Sequence, residues 1–272
     1  PFNISDGIRW STAIAYLNDN RDRPNLTILA GSLVHRVLVE NGRATGVEVK
    51  RGGKLVKVHT GEVILSAGAI GSPQALLLSG IGPHADLEKL GIEIKHDLPG
   101  VGRNLWDHPQ LPVTFSTFGN AGDESVQRLQ VGLRYTASGS GLRNDMFLIP
   151  ARFTSHAAFR GPIKPGSPDM LLVLCLYLAR SVGHLRLASA DPNHQPLIDF
   201  NYLADPLDRE RLREGVRMCA ELGAREEFGG LVERRTDPDD VRLQSDDRLD
   251  DWMARNVRTS HHSAGTCKMG PA

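Results

Sequence analysis

The sequence lacks most of the features that would announce a specialised class. It has three cysteines in 272 residues, Cys175, Cys219 and Cys267. They are odd in number and far apart, which excludes a disulfide framework and a zinc-type ligand spacing and suits a reducing cytoplasm. Net charge is missing as well. The 32 Lys and Arg balance the 32 Asp and Glu, so there is no electrostatic argument for nucleic acid. No apolar run approaches the ~20 residues of a membrane-spanning helix; the longest, residues 170–178, reads as a buried strand. There is no internal repeat, low-complexity tract or signal peptide. Pro1 is not an initiator residue, so the natural start is expected to lie elsewhere. What remains is the balance of a soluble globular chain, 40% hydrophobic and 24% charged, long enough for one large or two ordinary domains.

Along the chain, residues 3–7 read as a polar turn and 11–17 as a short helix. Strand-like runs at 26–30, 33–40, 44–50 and 54–60 are separated by Asn41-Gly42 and Gly52-Gly53, which are hairpin turn signals. A further apolar strand, ending in small residues, is expected at 62–68. Ser72 and Pro73 look like the N-cap and first residue of a helix over 73–79 that Gly80 ends, and a second helix covers 84–90. Composition shifts near residue 108. Beyond it, short strands alternate with Gly-, Ser- and Pro-rich stretches at 119–123, 138–141 and 161–168. The stretches 169–179 and 183–189 look like paired antiparallel strands. Asp205-Pro206 should open a helix buried through Leu212, Val216 and Cys219. Ser245 should open another, with Leu249, Trp252, Met253 and Val257 on one face. The charged run 221–240 reads as solvated helix and loop.

Two segments carry chemistry. In Gly68-Ala69-Ile70-Gly71-Ser72-Pro73-Gln74-Ala75-Leu76-Leu77-Leu78-Ser79-Gly80-Ile81-Gly82 a strand runs into a small-residue turn and then a helix. Small residues let a backbone approach a flat ligand, and a helix N-terminus favours negative charge. Taken alone, the pattern is more simply an ordinary strand-to-helix turn. The second segment is Ser260-His261-His262-Ser263-Ala264-Gly265-Thr266-Cys267-Lys268-Met269-Gly270, near the end of the chain. Gly100-Val101-Gly102 begins like a dinucleotide fingerprint but lacks the third glycine and a following helix, so it reads as a loop.

The first of these strings closely resembles the second signature of the glucose–methanol–choline (GMC) oxidoreductase family. Pro24-Asn25-Leu26-Thr27-Ile28 and Arg43-Ala44-Thr45-Gly46-Val47-Glu48-Val49 resemble the family's approach to it. Leu98-Pro99-Gly100-Val101-Gly102-Arg103-Asn104-Leu105-Trp106-Asp107-His108-Pro109 is similar to its Val-Gly-x-Asn-Leu-x-Asp-His segment. Residues 185–192 and 196–202 resemble its substrate-domain sheet. His-x-x-Gly-Thr-Cys-x-Met-Gly, from His262, resembles its active-site segment. The similarity keeps the same order over the chain, with 110–168 matching poorly.

The resemblance implies a mixed α/β (α+β) fold. A partial FAD-binding domain of GMC type would span 1–108, with 259–272 returning to it. A substrate-binding domain with an antiparallel sheet flanked by helices would span 109–258. It implies FAD-dependent oxidation of a small-molecule alcohol, with His262 as the base. An imidazole that titrates near working pH can take the hydroxyl proton as hydride leaves carbon. The spacing to Gly265-Thr266 selects His262 over His261, and in extended backbone the two would point to opposite sides. Val34, Ala67, Gly68, Ala69 and Asn104 are the implied FAD contacts, Val34 through its main chain at the adenine; no metal is implied. Asp107 and His108 are expected to fix the loop beneath the cofactor, and Cys267 to pack rather than react.

The electron acceptor stays open between oxygen, a quinone and a redox carrier, and the location is taken as cytoplasmic. The family's Gly-x-Gly-x-x-Gly unit and its second catalytic His or Asn have no counterpart in the sequence. The chain is therefore expected to be an internal fragment that does not hold FAD stoichiometrically alone. A cofactor-free or degenerate homologue with a binding role, and a hydroxynitrile-lyase-like member, are the alternatives. An NAD-linked enzyme is disfavoured by the missing fingerprint.

Overall fold

The computed structural model describes residues 3–118, 131–152 and 169–270; the loops expected at 119–123 and 161–168 lie outside them. The chain divides into two compact units, 1–63 and 64–272. This division does not coincide with the composition shift near 108, because residues 64–108 pack within the second unit.

The first unit is a three-stranded antiparallel meander of β1 (Leu33–Glu40), β2 (Arg43–Arg51) and β3 (Lys54–His59). Its turns follow from the sequence. Asn41 and Gly42 have φ of 49° and 73°, the left-handed pair that a tight hairpin matched to strand twist requires. Gly52-Gly53 does the same. At Gly46 an added Cβ would lie 2.2 Å from the Val58 carbonyl oxygen, so β2 and β3 approach closely there. Residues 11–17 contain a helical turn, Ala13–Leu17. Residues 26–30 do not form the expected strand. Their composition suits one, but no neighbouring ladder receives them among the described residues.

The second unit opens with α1 (Gly68–Leu78) and the short α2 (His84–Glu88). A sheet follows, made of β4 (Pro109–Thr117), β5 (Leu133–Tyr135), β6 (Met146–Arg152) and β7 (Asp169–Leu176). Next come a two-stranded ribbon of β8 (His184–Arg186) and β9 (Leu197–Asp199), then α3 (Pro206–Gly223) and β10 (Val232–Asp237). The order closes with α4 (Asp246–Asn256) and β11 (Arg258–Thr259). The sheet runs β10-β4-β7-β6-β5, all antiparallel, with β11 also pairing β4. No helix among the described residues is long and apolar enough to cross a membrane.

Period-two alternation sends Leu111, Val113 and Phe115 of β4 and Met170, Leu172 and Leu174 of β7 to one face. That face packs on Leu212, Val216 and Cys219 of α3 and on Leu249, Trp252 and Met253 of α4. The helix stripes are those expected, and Val257 packs partly against the same core. Asp205 caps α3 by accepting the Leu207 N–H at 2.8 Å, with Pro206 in the first turn where its missing N–H costs nothing. At Gly223 a Cβ would sit 2.1 Å from the Phe115 ring, so the end of α3 lies directly on the sheet.

Several local expectations are corrected. The strand at 169–176 pairs with β6 and β4 rather than with 183–189. All its residues from 170 to 176 are buried, and such a strand needs a neighbour on each edge; the more polar 184–186 instead pairs 197–199. Residues 62–68 form no strand, and Ile64 is 81% exposed. The run 221–240 is not only solvated helix and loop, because Val232–Asp237 adds an edge strand to β4. Ser245 occupies the cap position of α4 without a capping hydrogen bond from its side chain. Finally, α1 begins at Gly68, so Pro73 lies inside it and Ser72 is not its N-cap. The Ser72 hydroxyl nevertheless accepts the Ala67 N–H at 3.0 Å, holding the turn from within.

One buried polar cluster ties the loops to this core. Arg211 of α3 donates to Asp145 at 2.8 Å and Asp208 at 2.6 Å, and its side chain has no exposure. Asp145 also accepts from the Ala137 N–H and the Ser140 hydroxyl, while Asp208 accepts from the Arg180 and Ser181 N–H groups. Burial alone would raise the Asp145 carboxyl, but the bonds from Ser140, Arg211 and Ala137 outweigh it and hold it below its ordinary value. Removing one partner of such a cluster leaves uncompensated buried charge. Arg211→Met is expected to destabilise the protein by about 3–5 kcal/mol in urea unfolding; a change within error would show that the cluster contributes nothing net.

Candidate active site

The site is built where the chain's last described segment returns to the loop before β4. Gly102, at φ +80°, passes so close to β8 that a Cβ would be 2.3 Å from the Leu185 carbonyl oxygen. Its carbonyl accepts the Leu185 N–H at 2.6 Å and its N–H donates to Thr266 O at 2.9 Å. Consecutive turns at 98–103 make Gly100-Val101-Gly102 the loop expected of it. Asn104 sits at φ +57°; its Nδ2 donates to Gly265 O at 3.2 Å and its Oδ1 accepts from Trp106 Nε1 at 2.8 Å. Trp106 and Ala264 exchange both main-chain bonds at 2.9 Å. Gly265 is required by contact as well as by conformation: at φ +91°, a Cβ there would meet Asn104 O at 2.3 Å.

Thr266 joins this pair of segments to α1. Pro73 has no N–H, so the Ala69 carbonyl lacks its normal intrahelical donor four residues on. The buried Thr266 hydroxyl donates to that carbonyl at 2.6 Å. The N-terminus of α1 thus faces the returning segment across a cleft of about 380 Å³, lined by Gly68, Ala69, Ser72, Ser263, Gly265 and Cys267 among others. The first turn of α1 carries no acidic side chain, and Ala67 offers no side-chain cap. Gly68 has φ +74°, and a Cβ added to it would meet nothing within 4 Å. The wall there is therefore bare backbone beside open space. Cys267 is exposed on this cleft, not packed as expected; the turn after Gly265 carries its side chain outward.

His261 does not lie in extended backbone. His261 has φ 63° and donates its N–H to Thr259 Oγ1 at 2.8 Å, so a left-handed residue, not strand alternation, separates the two rings. His262 donates its N–H to Asp107 Oδ1 at 3.0 Å. Its ring meets His108 edge to face, with centroids 5.3 Å apart and planes at 80°. His108 in turn stacks on Tyr177 at 4.4 Å, and its carbonyl accepts both the N–H and the hydroxyl of Ser260. Burial, then the nearby His262, push the His108 imidazole below its ordinary range; Asp107 and a hydrogen bond to the Tyr177 main chain act in the opposite sense. The Nδ1 of His108 is buried without a partner.

Asp107 is the polar centre of this group. Oδ1 accepts from the His108 N–H at 2.8 Å and from His262, while Oδ2 accepts the Tyr202 hydroxyl at 2.5 Å. Burial, and then Asp107, raise the Tyr202 phenol above its ordinary range. Of the residues singled out from sequence, Gly68 and Ala69 line the cleft, Asn104 reaches it only through its bond to Gly265, and Ala67 and His262 adjoin lining residues in sequence without lining it. Val34 lies on β1 of the other unit, 40% exposed; Ser32 Oγ and His35 Nε2, its near neighbours in sequence, are buried without partners. Sequence reasoning missed Tyr202 and Ser260, which no local pattern marks. It used Thr266 only as a spacer. Among the described residues no group of three or more His, Cys, Asp or Glu is placed to hold a metal ion.

The family profile of GMC oxidoreductases matches in two parts, the N-terminal part over residues 1–110 and the C-terminal part over 179–272. The chain belongs to the GMC oxidoreductase family. Among its GMC relatives, the oxygen-dependent choline dehydrogenase of Photobacterium profundum is 34% identical over 98% of this chain and 51% of the relative. The mitochondrial choline dehydrogenase of Mus musculus is 35% identical over 98% of this chain and 48% of its own length. Among solved structures, pyridoxine 4-oxidase from Mesorbium loti superposes with a TM-score of 0.89 at 32% identity, covering 99% of this chain and 53% of that one. A formate oxidase reaches 0.80 at 26% identity, over 90% of this chain and 52% of that one. The chain spans about half the length of the curated relatives it matches.

The lowered His108 has a consequence for stability. The folded chain favours the neutral ring, so on acidification the unfolded chain takes up its proton first. Stability present above the ordinary His range is lost as pH falls through the lower, folded value. Between about pH 7.5 and about pH 5, wild type should lose more unfolding free energy in urea than His108→Gln; parallel losses would remove the assignment.

Proposed function

We propose that the protein carrying this chain oxidises the CH–OH group of a small-molecule alcohol, with His262 as the base and FAD as cofactor. The observation that supports it most is the tie between Thr266 and Ala69. It sets the histidine-bearing segment against a glycine-bearing helix N-terminus whose backbone faces an open cleft. These residues fit a flavin: the wall at Gly68 and Ala69 carries nothing larger than a methyl to exclude a flat ring system, and a helix N-terminus favours an electron-rich or anionic group. FAD bound there supplies the hydride acceptor.

Of this chain's own residues, His262 takes the hydroxyl proton as the C–H bond breaks and holds it as imidazolium. His108 and Tyr177 form the aromatic wall behind it. Asn104 has both polar ends engaged by Gly265 and Trp106, so its contribution is to shape the loop. Val34 is kept as a main-chain contact for the adenine. Within the second unit, residues 64–108 with 259–270 are the flavin side and 109–258 the substrate side. The main-chain bonds of Gly102 with Thr266 and of Trp106 with Ala264 support that partition. The free thiols support a reducing, cytoplasmic location.

The test mixes the full-length protein anaerobically with a panel of alcohols that includes choline and pyridoxine, and follows bleaching of the flavin band near roughly 450 nm. His262→Ala should keep its flavin and reduce it about 10²–10⁴-fold more slowly. Wild-type rates in that variant, or a wild-type protein that binds no flavin, would refute the proposal. Readmitting oxygen, a quinone or a redox carrier then identifies the acceptor.

A further inference from the structure

We infer that Asp107 is the positioning residue of the base and that Tyr202 holds Asp107 in place. This deepens the reading of His262 as base and rests on it.

The argument starts from the chemistry of the carboxylate. An ionised Asp only accepts hydrogen bonds, and Asp107, 6% exposed, is met by three donors. They come from the adjoining His108, from His262 some 155 residues on and from Tyr202, 95 residues on. The two histidine N–H groups share one oxygen, Oδ1. The main chains of both imidazole-bearing residues are thereby fixed to a single atom, and their rings meet edge to face. A base whose ring must meet a hydroxyl proton needs this kind of restraint, because a displacement of about 1 Å can cost about 100-fold in rate. Ser263, the next residue, already lines the cleft, and His262 itself is exposed.

The second observation concerns how Tyr202 is delivered. It stands between Asn201 at φ 52° and Leu203 at φ 64°. A left-handed leucine is uncommon and persists where surrounding contacts over-determine it. Those contacts are present. Asn201 Nδ2 donates to Val182 O at 3.1 Å, Arg209 Nη1 donates to Leu203 O at 2.6 Å, and Phe200 stacks on Tyr202 with planes 7° apart. The loop before α3 bears this strain, and the phenol it presents ends on Oδ2 of Asp107. Oδ1 is left to the two histidines. A strained loop thus serves a buried carboxylate that reaches the site through His262 and His108.

The test is steady-state kinetics on the full-length flavin-loaded protein, with the flavin band and melting temperature recorded for every variant. Asp107→Ala should lower kcat about 100-fold while KM stays within about threefold. Asp107→Asn keeps an oxygen for both N–H groups and an amide N–H for the Tyr202 oxygen, so it should recover at least about tenfold of that loss. Tyr202→Phe, which opens no cavity, should lower kcat about tenfold and keeps the inference testable if Asp107→Ala fails to fold. Wild-type kcat in Asp107→Ala and Tyr202→Phe overturns the inference, as does a loss carried by KM, or an Asn variant no better than Ala. His262→Ala separates the two levels. If it remains active, the base assignment itself fails. If it is inactive while the Asp107 and Tyr202 variants behave as wild type, only the positioning role fails.

Discussion

The missing N–H of Pro73 is the constraint from which the site is assembled. A proline inside α1 leaves the Ala69 carbonyl without its donor four residues on, and in the first turn of a helix that carbonyl points along the helix into the body of the chain. Thr266 supplies the absent hydrogen from 197 residues away. Once that bond is made, the segment carrying His262 has a fixed distance to the N-terminus of α1. The Gly102–Thr266 and Trp106–Ala264 bonds then set its register against the loop before β4. Proline, threonine and two left-handed glycines act together here, each making room or supplying a bond that the others lack.

The sheet plays a different part. Its apolar faces and the buried Arg211 cluster make a rigid support, and β4 is held from both sides along its length by β7, β10 and β11. Because His108 directly precedes β4 and Ser260 directly follows β11, the pairing of Pro109 with Thr259 carries the rigidity of the sheet close to His262. The loop residues proposed to do the chemistry are thus anchored at strand ends, where the backbone has little freedom left.

Much of this was legible beforehand. The apolar run from 170, the Leu212-Val216-Cys219 stripe and the Asp205 cap are local patterns with one structural solution each, and the structure contains them. Errors fell where the answer depended on something remote. Ser72-Pro73 has the form of a helix start, yet the helix begins at Gly68 because Ser72 can hold the Ala67 N–H from inside the turn. Residues 26–30 and 62–65 have strand composition but no ladder to join. Residues 169–176 were matched with their nearest neighbour in sequence, although a strand buried on both faces belongs in the middle of a sheet.

The sequence by itself determined the faces of the elements, the turn glycines and the residue types of the site, since periodicity, propensity and left-handed turns are decided within a few residues. Tertiary structure alone decided that His261 is left-handed, that Cys267 faces outward, and that Asp107 collects His108, His262 and Tyr202. The last of these depends on hydrogen bonds between groups up to 155 residues apart. A donor carries no local mark of the distant acceptor it will meet, so folding has to bring them together before the choice exists.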